Sequence, residues 1–283
     1  MRATNAENGT FSAYYFSTAF MNPADVQDLS WSQMYNRVNC DPMLLDFRPA
    51  AEYDAGHFQQ CERRIGLENS DQDLNAIVKE QIASMKDNNN HCIILITQSD
   101  WEANCSRVLA ALSFSDQFRK YHRCHCISET FQFAPFLKGE DPVIGVPSLI
   151  ECLLPARVFL SGIIHASPFT AAQLHIGRII NVTPDVPKCT DIATCFPIVD
   201  SPAVDISPVL AQTRLIISAC VRDDIPVLVH CHQGVSRSAS VVIDYVASAF
   251  GICALEAMAR VKRSRKIVDP NEGFLATLQQ IYP

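Results

Sequence analysis

Two kinds of apolar pattern alternate along this chain: short continuous runs, and longer stretches with an apolar residue every three or four positions. Met43-Leu44-Leu45 is a short run that stops at Asp46 and Arg48-Pro49, which reads as a buried strand entering a turn. Ala51 to Gly56 suits a short helix closed by glycine. Leu74, Ile77, Val78 and Ile82 recur at helical spacing within 74–85. Cys92 to Ile96 is a continuous β-rich run, and Trp101 to Phe114 reads as another helix. Strands that alternate with helices imply a parallel sheet.

The pattern breaks at Lys138 to Pro147, rich in Gly and Pro and without a period, and then starts again. Residues 158–164, 178–182 and 226–230 read as strands. A helix is expected over 205–221, with Asp205 or Ser207 as N-cap and Pro208 in its first turn. A second runs over 238–250, apolar at 241, 242, 245, 246, 249 and 250, and ends at Gly251. Two further helices are expected near 255–261 and 271–281. The fold class is α/β with two α/β domains. A polar arm (1–23) leads into a first domain (24–138), a linker (139–147) and a second domain (148–283), in which helices flank a central sheet.

Composition narrows the function. The 283 residues are 48% hydrophobic and 19% charged, too apolar for a disordered chain. Lys and Arg number 23 against 30 Asp and Glu, a net charge of -7. That balance argues against nucleic acid as partner, because phosphate backbones call for a basic surface. An anionic substrate remains compatible, since one local cationic pocket suffices. A chain this long does not need its twelve cysteines as a disulfide scaffold. They are expected as thiols in the reducing cytoplasm, with the nucleus as the alternative. No leader-like start is read, and Val241 to Ala259 is interrupted by Asp244 and Glu256, so no membrane span is expected.

The candidate chemistry sits in His230-Cys231-His232-Gln233-Gly234-Val235-Ser236-Arg237-Ser238. A Cys followed six residues later by Arg is weak by itself. Here an apolar strand, Val227-Leu228-Val229, feeds in and a helix leads out. Such a turn gathers backbone N–H groups of residues 232–237 around one point at a helix N-terminus, a ready anion site. Gly234 permits close backbone approach. Arg237 can clamp two phosphate oxygens with its planar fork. The same donors favour the thiolate of Cys231, making it a candidate nucleophile, with His230 supporting the loop. Ser238 can donate to the sulfur when it leaves. The competing reading of Cys231 is a buried core thiol. In Phe196-Pro197-Ile198-Val199-Asp200-Ser201-Pro202, Asp200 is the candidate general acid and later base. Asp205 competes with it, and a loop or helix-leading carboxylate is the plainer alternative.

These residues resemble the dual-specificity protein phosphatases, over about 148–283. Leu153 to Gly162 looks like that family's entry strands, Ile179-Ile180-Asn181-Val182-Thr183 like its next strand, and Pro270-Asn271-Glu272-Gly273-Phe274-Leu275 like the start of its last helix. The resemblance implies Cys231 as nucleophile, Arg237 as phosphate clamp, Asp200 as acid, Ser238 as leaving-group partner and Asn181 as a brace for the loop. It implies no metal and no cofactor, and a phosphoprotein substrate. The rival is a non-catalytic scaffold of the pseudophosphatase type that holds phosphoproteins or kinases. Phosphoinositide and RNA phosphatases use similar loops with more cations; with His232 and Gln233 in the variable positions, a protein substrate is favoured.

The first domain is similar to the rhodanese-like family through Leu44-Leu45-Asp46-Phe47-Arg48-Pro49, Glu52-Tyr53 and Gly56-His57. A working sulfurtransferase carries Cys right after its central strand. This chain has Thr97-Gln98-Ser99 there, and Ser128-Glu129-Thr130 replaces the usual Gly pair, so the domain is expected to be non-catalytic. The combination resembles the MAP kinase phosphatases and makes a MAP kinase a candidate partner. It places a docking motif at Arg63-Arg64-Ile65-Gly66-Leu67, whose alternative is an exposed loop with two arginines.

Three signals are discounted. Cys124-His125-Cys126 lacks the second Cys pair of a structural zinc site. His91-Cys92 repeats the His-Cys pair, but Gln98 stands where a clamp would be. Lys262-Arg263-Ser264-Arg265-Lys266 reads as a solvated helix end favoured by the macrodipole, with an anion-binding or nuclear-import role as the alternative.

Overall fold

The computed structural model describes residues 26–37, 43–55, 57–58, 64–83, 92–97, 101–112, 120–125, 129–130, 132, 137, 146–185 and 190–283. The expected arm (1–23), most of the expected linker (139–145) and Arg63 lie outside the described residues.

In chain order the first region contains β1 (Gln27–Leu29), α1 (Trp31–Arg37), β2 (Met43–Asp46), α2 (Ala50–Ala55), α3 (Asp71–Ala83), β3 (Cys92–Ile96), α4 (Trp101–Leu112) and β4 (Lys120–Cys124). Its sheet runs β1-β4-β3-β2, and every pairing is parallel. The second region contains β5 (Ser148–Leu149), β6 (Val158–Ser161), α5 (Pro168–Gln173), β7 (Arg178–Asn181) and β8 (Ala193–Cys195). It continues with α6 (Ser207–Arg222), β9 (Val227–His230), α7 (Arg237–Phe250), α8 (Ala254–Ser264) and α9 (Glu272–Ile281). Its sheet runs β5-β6-β9-β7-β8, parallel except for β5.

Strand periodicity sorts the core into three layers, because successive side chains point to opposite faces. Leu45 and Leu95 pack on α3 and α4 with Leu74, Val78 and Val108. Leu160, Ile180, Val227 and Val229 face α6, α7 and α9 with Leu210, Val242 and Phe274. Leu44, Ile94 and Ile96 of the first sheet join Phe159, Ile179 and Leu228 of the second in one cluster between the sheets, filled by Met34 and Tyr35 of α1. The two regions therefore share a core layer. Tyr35 Oη donates to Pro147 O at 3.0 Å, and the Asn36 amide donates to Leu149 O and accepts from Leu149 N, each at 2.8 Å. Residues 146–147, expected in the linker, are part of this packing: Val146 is buried in the shared cluster.

Two expected boundaries shift for local reasons. β6 stops at Ser161 because Gly162 lies against the 231–238 loop, where a Cβ would sit 2.7 Å from His232 O. The helix expected from 205 begins at Ser207, with Pro208 in its first turn. Asp205 stays outside as an acceptor for Ser207 N at 2.9 Å.

Candidate active site

β9 lies inside the second sheet between β6 and β7, and its buried Val-Leu-Val run delivers Cys231 at the strand's carboxyl end. From there the backbone turns into α7, with five successive carbonyls bound on the outside of the turn. His232 O accepts from Ile163 N (2.9 Å), Gln233 O from Arg265 Nη2 (2.9 Å), Gly234 O from Arg265 Nε (2.9 Å), Val235 O from Asp269 N (2.8 Å) and Ser236 O from Ser240 N (2.8 Å). In a planar trans peptide the carbonyl and the following N–H point in opposite directions. Holding these carbonyls outward therefore aims the N–H groups of residues 233–237 inward. Gly234 N–H donates to Cys231 Sγ at 3.2 Å. The N–H groups of His232, Gln233, Val235, Ser236 and Arg237 meet no acceptor among the described residues.

Glycine at 234 is dictated by geometry. Its φ is +70°, in the left-handed region, and a Cβ would sit 2.5 Å from the Ser161 carbonyl carbon. Cys231 is only 1% exposed and also receives the Ser238 hydroxyl at 3.1 Å. A buried sulfur surrounded by N–H and O–H donors is in a polar pocket, not the apolar one of an inert core thiol. His230, at the end of β9, is buried, and burial lowers its pKa; its Nδ1 lies 3.4 Å from Cys231 O.

Arg237 opens α7, 8% exposed, and donates through Nη1 to Ile198 O at 3.2 Å. Its Nε lies 3.3 Å from Asp200 Oδ2. Asp200 Oδ1 accepts from Ser236 Oγ (2.7 Å) and Asn271 Nδ2 (2.9 Å), while Asn271 N donates to the same Ser236 hydroxyl at 3.1 Å. The structure thus brings Asp200, 35% exposed, to the cysteine loop. Asp205 instead serves the start of α6, and its bonds from Ser207 hold its carboxyl below the usual range. The start of α9 packs closely on the Asp200 loop because Gly273 lacks a Cβ, which would collide with Pro202 O.

The remaining expected residues are placed as follows. Asn181 pairs in register with His230. Its Oδ1 accepts from Thr183 N (3.0 Å) and Thr183 Oγ1 (2.7 Å), and its Nδ2 lies 3.8 Å from Cys195 Sγ. His232 is at the rim with Nε2 2.8 Å from Asp185 Oδ2, a contact that lowers the Asp185 pKa. In the first region Arg64 pairs with Glu68, and Ile65 is fully buried beside Leu45 and Phe47. Leu67 packs, half-buried, on the same cluster. The expected docking motif is corrected at Ile65, which is built into the core and offers no surface to a partner.

The main omission from the sequence reading is Arg265. It stood inside the run read as a solvated helix end, yet it holds two loop carbonyls and lies 3.4 Å from Ser148 Oγ. Burial lowers its pKa, opposed by the charge of Cys231. Ser236 was assigned to the phosphate loop, but its tie to Asp200 needed the fold.

A cysteine cradled by amides, with an arginine at the start of the following helix and a carboxylate on a facing loop, defines a site of cysteine-dependent phosphatase type. Residues 158–282 match the family model described as dual specificity phosphatase, catalytic domain, and this part of the chain is such a domain. Among relatives, serine/threonine/tyrosine-interacting protein A of Xenopus laevis is 35% identical over 83 residues, covering 29% of this chain and 37% of its own. Dual specificity protein phosphatase 5 of Rattus norvegicus is 34% identical over 128 residues, covering 44% and 33%. The chain thus spans about a third of the length of these relatives. The crystal structure of the human tyrosine phosphatase-like serine/threonine/tyrosine-interacting protein aligns with 27% identity and a TM-score of 0.44, covering 48% of this chain and 95% of that one.

Proposed function

We propose that the chain is an active dual-specificity protein phosphatase that hydrolyses phosphotyrosine and phosphoserine or phosphothreonine through a cysteinyl-phosphate. The observation that carries this reading is the turn after β9, whose carbonyls are bound outward while Gly234 N–H at 3.2 Å and Ser238 Oγ at 3.1 Å donate to Cys231 Sγ. The amides and the Arg237 guanidinium hold the phosphoryl oxygens and spread the charge that develops in transfer. The Cys231 thiolate attacks phosphorus as the P–O ester bond breaks. Asp200 gives its proton to the departing oxygen. Asp200, now a carboxylate, takes a proton from the attacking water. The S–P bond breaks, Ser238 stabilises the sulfur, and inorganic phosphate leaves. No step calls for a metal or cofactor.

For the first region we propose a non-catalytic rhodanese-like domain. An all-parallel sheet, the buried Asp46–Arg48 pair at 2.6 Å after β2, and Thr97 after β3 support it. A MAP kinase substrate belongs to the same proposal through this domain order alone, since buried Ile65 lends the docking motif no support. A cytoplasmic setting, with the nucleus as alternative, suits a nucleophilic thiol, which needs reducing conditions.

The second reading is a phosphoprotein-binding scaffold, favoured by the likeness to the Xenopus relative, which is named an interacting protein. The purified chain, assayed on a peptide carrying both phosphothreonine and phosphotyrosine, separates the two. Release of both phosphates is expected. Stoichiometric binding with no phosphate released would establish the scaffold instead.

A further inference from the structure

Behind the phosphate loop, α1 of the first region and the end of α8 face each other across a cleft of about 760 Å³. Its floor includes Ser148, Glu151 and Cys152, and Arg265 connects it to the loop. Six cations line it against two carboxylates, in a chain whose net charge is -7. Three of the six are occupied: Arg260 by Glu256 (2.6 Å), Lys262 by Asp269 (3.8 Å), and Arg265 by the loop carbonyls. Arg37, Arg263 and Lys266 have no ion-pair partner among the described residues.

The helix macrodipole amounts to about half a charge, so it does not balance this cluster. Arg37 belongs to the opposite wall, outside the reach of the α8 terminus. The charges converge on the floor: Arg37 pulls the Glu151 pKa down against the larger effect of burial, and Arg260 and Arg263 do the same for the Cys152 thiol. Like charges that outnumber their counterions repel, and the excess costs stability unless an anion joins it. A volume of several hundred Å³ accommodates a small molecule, and cations on two walls suit one with phosphates on more than one side.

We infer that this cleft is a binding site for a compact polyanion with two or more phosphates on a polyol, of the inositol polyphosphate type, distinct from the catalytic loop. Arg37, Arg263 and Lys266 are its phosphate contacts. The ligand links the two regions, and Arg265 has N–H groups left to meet it while retaining Gln233 and Gly234.

Calorimetry on the full chain with inositol hexakisphosphate tests this, alongside co-sedimentation with phosphatidylcholine vesicles containing phosphatidylinositol bisphosphate. Binding to the soluble compound, the vesicles or both is expected, and the comparison tells a free ligand from a lipid headgroup. Arg263→Glu with Lys266→Glu, and separately Arg37→Glu, should each weaken binding about tenfold or more. Turnover of a small aryl phosphate should stay unchanged in both variants. Affinity equal to wild type in these variants, displacement by vanadate, which would put the anion in the catalytic loop, or no binding to either probe would overturn the inference. So would binding of a phosphopeptide through these residues in preference to both probes.

Discussion

The molecule places an interior strand ahead of a helix twice, and among the described residues only the second instance carries a cysteine held by donors. In each region an interior parallel strand, β3 or β9, is followed in the chain by a helix, α4 or α7. After β9 the turn holds a cysteine, five outward-bound carbonyls and an arginine at the helix start. After β3 stands Thr97, buried, its N–H given to Cys124 O at 3.0 Å as though the sheet continued. The polar investment of the first region lies one strand away, where Arg48 and Asp46 form a buried ion pair next to β2. A strand–turn–helix thus positions a residue, but an anion site requires that the turn's carbonyls be anchored elsewhere so that its amides converge.

The sharpest break in that comparison is at the sulfur. Cys231→Ser should lower turnover of an aryl phosphate by about 10⁴-fold or more, and adding Thr97→Cys to that variant should restore nothing. Any recovered activity would mean the first turn also gathers its amides. Next, Asp200→Ala should slow phosphoryl transfer by about 10²–10⁴-fold, most for poor leaving groups, whereas Asp205→Ala should leave the rate intact and lower the melting temperature slightly. The reverse pattern would transfer the acid role to Asp205. Arg265→Met, which frees the Gln233 and Gly234 carbonyls, should cost about ten- to a hundredfold in kcat/KM through loop disorder. Weakened binding of the product phosphate should accompany it, and an unchanged phosphate affinity would show that the loop holds its shape without that guanidinium. Smallest in rate, Asp46→Asn should destabilise the fold by about 3–5 kcal/mol in denaturant titration, with turnover at low temperature unaltered. A matching loss of turnover would mean that the first region's ion pair bears on the catalytic loop.

The cysteine turn was legible in the sequence because its parts are contiguous: apolar Val227–Val229, the glycine that must adopt positive φ, and the arginine beginning α7 all lie within a dozen residues. Asp200 was legible by pattern, and its distinction from Asp205 required the Ser236 and Asn271 bonds, which span distant segments. Strands β1 and β4 escaped the pattern reading. Gln27-Asp28 and the polar residues of Lys120–Cys124 form no apolar run, and their pairing brings Asp28 beside Arg123, joined at 2.6 and 2.7 Å. Charge across a ladder substitutes there for the alternation that announces a strand. Ile65 misled in the opposite way: beside two arginines it reads as an exposed anchor, whereas its backbone N–H bonds Asp46 O and draws the side chain into the core.

The Asn36 amide occupies both hydrogen-bonding groups of Leu149, as a neighbouring strand would, and α1 roofs Phe159. Cutting the chain ahead of Ser148 would strip that cover from an edge strand and bare the side of the sheet carrying Phe159, Ile179 and Leu228. Raw edges beside greasy surface invite copies to stick to one another. A fragment trimmed to the phosphatase domain should therefore clump as its concentration rises, while the intact polypeptide stays dispersed.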